Sequence, residues 1–193
     1  MKRMGTSPDK YAQRRFFIAL LPPTEVQTVA WQFKQELAEV YQSYAALRSP
    51  PHITLQPPFW WSVEQLPPLH QVLAEFALAS PPVPITLENF DVFKPRVIFI
   101  HVHPQENLLN LQQALAQTLH QQCNLPLEKR PFHPHLTIGF RDLDRANFQK
   151  AWAVFQTRSL YFAFTVPQLT LLIHDGQRWQ IQQEFPLLGE PSC

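Results

Sequence analysis

Short apolar runs and amphipathic stretches alternate along this chain, with prolines between them. "RRFFIALL" is apolar and stopped by Pro22 and Pro23, which predicts a buried strand. Thr24 and Gln27 form a capping-box pattern at the start of a helix. Val26, Val29, Phe33, Leu37, Val40 and Tyr44 then fall on one helical face. A strand through His52 follows, and Pro57 and Pro58 are expected to end it early. Ser62 and Gln65 repeat the capping-box pattern, and Leu66, Leu69, Leu73 and Phe76 make the next helical stripe. "VPITLENFDVF" and "RVIFIHVH" read as a hairpin turned at "KP". Leu108, Leu111, Leu115 and Leu119 mark a third helix, opened by Pro104. A strand through His135 comes next, then a helix from about Asp144 that buries Phe148, Trp152 and Phe155. The chain closes on "YFAFTVPQLTLLIH" and "RWQIQQEFPL", with Asp175-Gly176 as a hairpin signal between them.

The pattern contains an internal echo. Arg15 and Arg96 each begin an apolar strand that leads through a proline and an amphipathic helix to a His-x-Thr-x tetrapeptide. The first interval is 52 − 15 = 37 residues and the second 135 − 96 = 39. This predicts a duplication covering about 15–60 and 96–140. Related halves often pack about a pseudo-twofold axis, which would bring the two tetrapeptides together across a groove.

Composition narrows the possibilities. A chain of 193 residues fits a single bilobal domain, taken here as 13–193 behind a loose polar tail at 1–12. A net charge of +1 argues against attachment to nucleic acid by bulk charge. The 20 prolines are scattered between apolar runs, so they mark element boundaries and not a disordered tract. Cys123 and Cys193 lack CxxC spacing, which points to free thiols in a reducing compartment. No segment is long enough to span a membrane, and the expected location is the cytoplasm.

The chemistry lies in the repeated tetrapeptide. In a strand, residues i and i+2 share a face. His52 and Thr54 therefore point one way, and Ile53 and Leu55 the other. His135 and Thr137 stand in the same relation to Leu136 and Ile138. Two imidazoles near neutral pH can divide the work of base and acid. Threonine hydroxyls can donate to a non-bridging phosphoryl oxygen. A phosphodiester suits such a set, because both its attacking and its leaving oxygen need proton transfer. His133 with His135, and His101 with His103, are same-face pairs that could bind zinc, but they lack companion cysteines or an HExxH pattern. No metal and no cofactor is expected. No glycine-rich phosphate loop is present, in keeping with only 4 glycines.

These residues resemble the 2H phosphoesterase superfamily, in its 2′-5′ RNA ligase and RNA 2′,3′-cyclic phosphodiesterase branch. The resemblance runs through "RRFFIALLPP", "PPHITL", "FDVFKPRVIFIHVHP", "RPFHPHLTIGF" and the closing "EFPL". It implies an α+β, bilobal, LigT-like fold: two pseudo-symmetric antiparallel sheets with outer helices around a central cleft. It implies His52, Thr54, His135 and Thr137 as the catalytic set, with His135 as base and His52 as acid in hydrolysis. The implied substrate is an RNA end or small cyclic nucleotide, opened to a 2′-phosphate, with 2′-5′ ligation as the reverse. A monomer is expected. Family members often carry an arginine just after the second motif. Here Phe140 comes first and Arg141 follows, so Arg141, Arg130 or Lys129 is expected to serve the phosphate. Phe59, Trp60 or Trp61, in the divergent tail "QPPFWW", is a candidate for stacking on a base or ribose, with core cover as the alternative for at least two of the three. His133 is a further candidate beside the second motif. The competing functional class is a binding module that holds a nucleotide or RNA end without turning it over.

Overall fold

A computed structural model describes residues 13–190. The expected tail at 1–12 and Cys193 lie outside the described residues. The strands are β1 (Gln13–Leu20), β2 (Ile53–Ser62), β3 (Val83–Phe93), β4 (Val97–Val102), β5 (His135–Gly139), β6 (Tyr161–Val166), β7 (Gln168–His174) and β8 (Trp179–Pro186). The α-helices are α1 (Thr24–Tyr41), α2 (Leu66–Leu78), α3 (Glu106–Cys123) and α4 (Arg145–Phe155).

The strands form one sheet in the order β6-β3-β4-β5-β2-β1-β7-β8, with antiparallel neighbours throughout. The two expected antiparallel sheets are its halves, β6-β3-β4-β5 and β2-β1-β7-β8. They meet at the single register pair Ile53↔Leu136, the aliphatic centres of the two tetrapeptides. Pro167 separates β6 from β7, and the chain crosses there from one half to the other.

All four helices contribute to one large core, which also contains Ile53, Leu55, Leu136 and Ile138. Helix α1 packs on β5 and α3 on β2, so each central helix backs the motif strand of the opposite half. The Gln112 amide of α3 donates to the Leu55 carbonyl at 3.3 Å. Asp142 ties the loop after β5 to the segment just after α1: its carboxylate accepts from the Tyr44 and Ala45 backbone N–H groups at 2.8 Å each and from the Ser43 hydroxyl at 3.1 Å.

Several local expectations change. The buried face of α1 is Val26, Ala30, Lys34, Leu37, Ala38 and Tyr41, rotated from the stripe expected. Val40 is 61% exposed, and Tyr44 lies beyond the helix. Neither expected capping box forms: no side chain caps α1, and Gln27 instead donates to the Pro22 carbonyl at 2.9 Å. A 3-10 turn, Val63–Gln65, fills the position of the second. Strand β2 runs on through Pro57 and Pro58. It can do so because β1 and β2 shift register there: Phe59 pairs with Phe16 and Gln56 with Ile18, which leaves both prolines out of the ladder.

Candidate active site

The Ile53↔Leu136 pair sets the geometry of the site. In an antiparallel pair, partner numbers have a constant sum, here 53 + 136 = 189. His52 therefore lies across from Thr137 (52 + 137 = 189), and Thr54 across from His135 (54 + 135 = 189). Each histidine faces the threonine of the other motif. Ile53 and Leu136 are fully buried, while the four polar residues are half-buried on the opposite face. The four residues expected to act together thus occupy one patch, at the seam between the halves.

The two histidines are held alike. The Nδ1 of His52 lies 2.7 Å from the Pro50 carbonyl, and the Nδ1 of His135 lies 2.7 Å from the His133 carbonyl. A carbonyl only accepts, so both Nδ1 atoms carry hydrogen. In the neutral rings the basic lone pair is then on Nε2. Each ring also rests on aromatics of the inner sheet face. His52 lies 4.7 Å from Phe17, and His135 lies 5.2 Å from Phe99 and 5.0 Å from Phe93, between ring centres. Phe17 belongs to a small second apolar cluster with Ala19, Leu21 and Leu172, apart from the main core.

Burial lowers the proton affinity of both rings. His52 is pushed down to about 3 by desolvation first, then by the positive charge of Lys34 and by His135, against the Pro50 hydrogen bond, which acts to raise it. His135 is lowered by burial and by His133, with its hydrogen bond to the His133 carbonyl acting the other way. Lys34 is 1% exposed, and burial brings it down to about 7. Its ammonium donates to the Ser49 carbonyl at 2.9 Å.

The candidate substrate contacts differ in their surroundings. Phe59 is a core residue, 8% exposed and 6.2 Å from Phe16 between ring centres; Trp60, 62% exposed, is the surface aromatic of that segment. Arg130 is exposed and bound to Glu128 at 3.3 Å. Arg141 is exposed, adopts φ 61°, and has its guanidinium 5.1 Å from the Phe140 ring. His133 is exposed and lies 5.1 Å from Phe93 between ring centres, while its carbonyl holds His135. His101 pairs in register with His135. His103 bonds to Glu88 at 2.6 Å. Among the described residues, no group of three or more histidines, cysteines or carboxylates comes together as a metal site.

Sequence reading missed Lys34, the Asp142 clamp and the aromatic floors. Ala30, Lys34, Leu37 and Tyr41 do follow helical spacing, so a signal for Lys34 existed, but a lysine in that series reads as an outward break.

A fold with paired His-x-Thr strands meeting at a sheet seam, backed by crossing helices, defines a class, and comparison with known proteins identifies it. Residues 25–178 match the family described as "2'-5' RNA ligase superfamily", and the chain belongs to it: it is a 2H phosphoesterase family member. A Geobacillus kaustophilus protein named "Putative phosphoesterase" is 30% identical over 181 residues, covering 92% of this chain and 99% of that protein. A Geobacillus stearothermophilus protein named "RNA 2',3'-cyclic phosphodiesterase" is 28% identical over 137 residues, covering 66% of this chain and 42% of that protein. Among solved structures, Escherichia coli LigT complexed with 3'-AMP superposes with a TM-score of 0.67 at 22% identity, covering 91% of this chain and 98% of that one. That likeness shows the fold to be LigT-like. Among the described residues, no helix is long and apolar enough to cross a membrane.

Proposed function

We propose that the protein is a metal-independent phosphodiesterase that opens 2′,3′-cyclic phosphates of RNA ends or nucleotides to 2′-phosphates, with reversible 2′-5′ ligation as the companion reaction when a 5′-hydroxyl replaces water. The observation that carries this reading is the Ile53↔Leu136 register, which sets each histidine across from the threonine of the other motif. In hydrolysis, one Nε2 takes a proton from water as its oxygen attacks phosphorus. The bond from phosphorus to the ribose O3′ breaks, and the other histidine protonates that oxygen. The Thr54 and Thr137 hydroxyls stabilise the phosphoryl oxygens as charge builds on them. The products are a 2′-phosphate and a free 3′-hydroxyl. In ligation a 5′-hydroxyl takes the place of water: one histidine takes its proton as the oxygen attacks phosphorus, the bond to O3′ breaks, and the other histidine protonates O3′, leaving a 2′-5′ diester.

The same reading takes 15–60 and 96–140 as copies of one unit. It is supported by the strand order outward from the seam, β5-β4-β3-β6 on one side and β2-β1-β7-β8 on the other. Monomeric action in the cytoplasm belongs to this proposal. So does nucleotide binding, which is supported by the likeness to LigT structures complexed with 3'-AMP and ATP.

The test is incubation with a 2′,3′-cyclic nucleotide, and with an RNA ending in one, followed by phosphorus NMR. A 2′-phosphate should form, and His52→Ala or His135→Ala should each slow it by roughly 10²–10⁴-fold while circular dichroism stays unchanged. Binding without turnover would favour a module that only holds the ligand. Full activity in both variants would overturn the mechanism.

A further inference from the structure

On the side of the first motif, the sheet face that carries His52 continues outward as a run of ring contacts. His52 lies 4.7 Å from Phe17, and Phe17 lies 4.6 Å edge-on from Trp179, between ring centres. Trp179 in turn lies 4.9 Å from His174, its register partner. Arg15 shares the face of Phe17, because residues i and i+2 of a strand point the same way. Its register partner is Trp60. The Arg15 guanidinium lies 6.0 Å from the centre of the Trp60 ring and 5.5 Å from that of Trp179. One row across β2, β1, β7 and β8 therefore sets an arginine between two indoles, outward from the candidate active site.

Two properties of this row go beyond what holding strands together requires. Trp60 is 62% exposed, although its neighbour Phe59 is buried in the core. Arg15 is half-buried, and among the described residues no carboxylate forms a salt bridge with it. A guanidinium held against indoles keeps N–H donors at its rim, where they suit phosphate oxygens. A cavity of about 570 Å³ opens where His174 meets Arg48 and Arg178, adding two more cations beside Trp179. The carboxylate of that hairpin, Asp175, is occupied by the turn itself: it accepts from the Gln177 and Arg178 backbone N–H groups at 2.8 Å each. Open aromatic faces interleaved with cations fit a single-stranded nucleic acid, whose bases stack while its phosphates pair with the charges.

Distance decides which part of such a strand the row meets. Arg15 stands four residues along β1 from Ala19, the partner of Thr54. At about 3.3 Å per residue the separation is ~13 Å, which exceeds the spacing of adjacent phosphates in a nucleic-acid strand. The guanidinium is also turned aside to Trp60 and Trp179. It is therefore placed for a phosphate other than the one at the histidine pair.

Resting on the phosphodiesterase reading above, we propose that the Trp60, Arg15 and Trp179 row is an upstream-nucleotide site. It takes the single-stranded RNA that leads to the terminal phosphate, with a base stacked on Trp60 and a backbone phosphate on the Arg15 guanidinium. The preferred substrate is then an RNA end and not a cyclic mononucleotide.

The experiment measures Kd by calorimetry for 2′-AMP and for an adenosine trinucleotide ending in a 2′-phosphate, in wild type, Trp60→Leu, Trp60→Phe and Arg15→Gln. Wild type should bind the trinucleotide at least ~10-fold more tightly than 2′-AMP. Trp60→Leu should shrink that ratio about 5-fold or more, and Trp60→Phe, which keeps a ring, should retain most of it. Arg15→Gln should also shrink the ratio and lower the slope of log Kd against log salt for the trinucleotide by about 0.7, while Trp60→Leu leaves that slope in place. Equal Kd values for the two ligands in wild type overturn the proposal. So does a folded Trp60→Leu or Arg15→Gln that loses thermal stability but keeps the ratio, since the row then only joins strands. Binding is read apart from turnover. If wild type prefers the trinucleotide but leaves cyclic phosphates unopened, the phosphodiesterase reading fails and the upstream site stands; if it opens them without that preference, the reverse holds.

Discussion

Each histidine of the pair spends its Nδ1 hydrogen on a carbonyl two residues back, so Nε2 is the ring atom left for proton transfer. Both rings bind protons more weakly than a free histidine. The pH profile of kcat/KM reports the free enzyme. It should therefore be bell-shaped, with its optimum on the acid side of the ordinary histidine value of ~6.5. A rate that keeps rising to pH 8 in initial-velocity measurements would contradict this. The threonines should act on the transition state and not on binding. Thr54→Val and Thr137→Val should each lower kcat by about 10²-fold with a much smaller effect on KM. These four residues were legible from sequence because the period of a strand places i and i+2 together whatever else the fold does. The surroundings of Arg130, Arg141 and Phe59 were not. Whether a cation faces a phosphate or a neighbouring glutamate depends on contacts that spacing leaves undefined, and the side of β2 taken by Phe59 follows from the register shift at Pro57 and Pro58.

At the scale of elements, helix α1 shows how an amphipathic pattern is both informative and ambiguous. Its span was readable, but its rotation was set by packing on β5 and α4, which turned Ala30, Lys34 and Ala38 inward and Val40 outward. Small residues on the buried face carry little hydropathy signal, and a lysine carries the wrong sign. The Asp142 clamp is a second element-scale device, since one carboxylate gathers two backbone N–H groups and a hydroxyl from the segment just after α1. Hydrogen bonds to a charged acceptor are stronger than neutral ones. Asp142→Ala should therefore destabilise the fold by about 1–3 kcal/mol in urea titrations. Because the clamp joins the loop after the second motif to the segment that leads to the first, Asp142→Ala should also lower kcat.

Across the whole molecule, the two half-sheets share a single register pair, and the helices that cross behind the seam do much of the joining. Stability should carry the mark of Lys34 and His52, whose proton affinity the fold lowers. Lys34 binds its proton at about 7 when folded, against 10.5 for an ordinary lysine. Between those values the unfolded chain holds a proton that the folded chain lacks, so stability rises with pH across that window. His52 has the same sign at lower pH: below 6.5 and down to about 3 the unfolded chain takes up a proton that the folded chain excludes, and stability falls as pH drops. Lys34→Met should remove the upper slope, making unfolding midpoints nearly level from pH 7 to pH 10, and should raise the midpoint at pH 7. A steep slope persisting in Lys34→Met would show that another group is responsible. On the proposed chemistry, a chelator should leave turnover unchanged; loss of activity in the chelator, restored by zinc, would contradict it.

The sequence by itself determined the strand and helix elements and the four polar residues of the candidate site. All of these follow from local periodicity: two residues per strand repeat, about 3.6 per helical turn, and prolines at the boundaries. It also carried the family, through the paired tetrapeptides. Tertiary structure alone decided how the tetrapeptides meet, because the Ile53↔Leu136 pair joins strands 83 residues apart in the chain (136 − 53) and no local pattern encodes that register. It alone decided that Lys34 is buried against the Ser49 carbonyl, since only the docking of α1 against the sheet turns that side chain inward. Local chemistry made the two histidines alike, and long-range packing made them different.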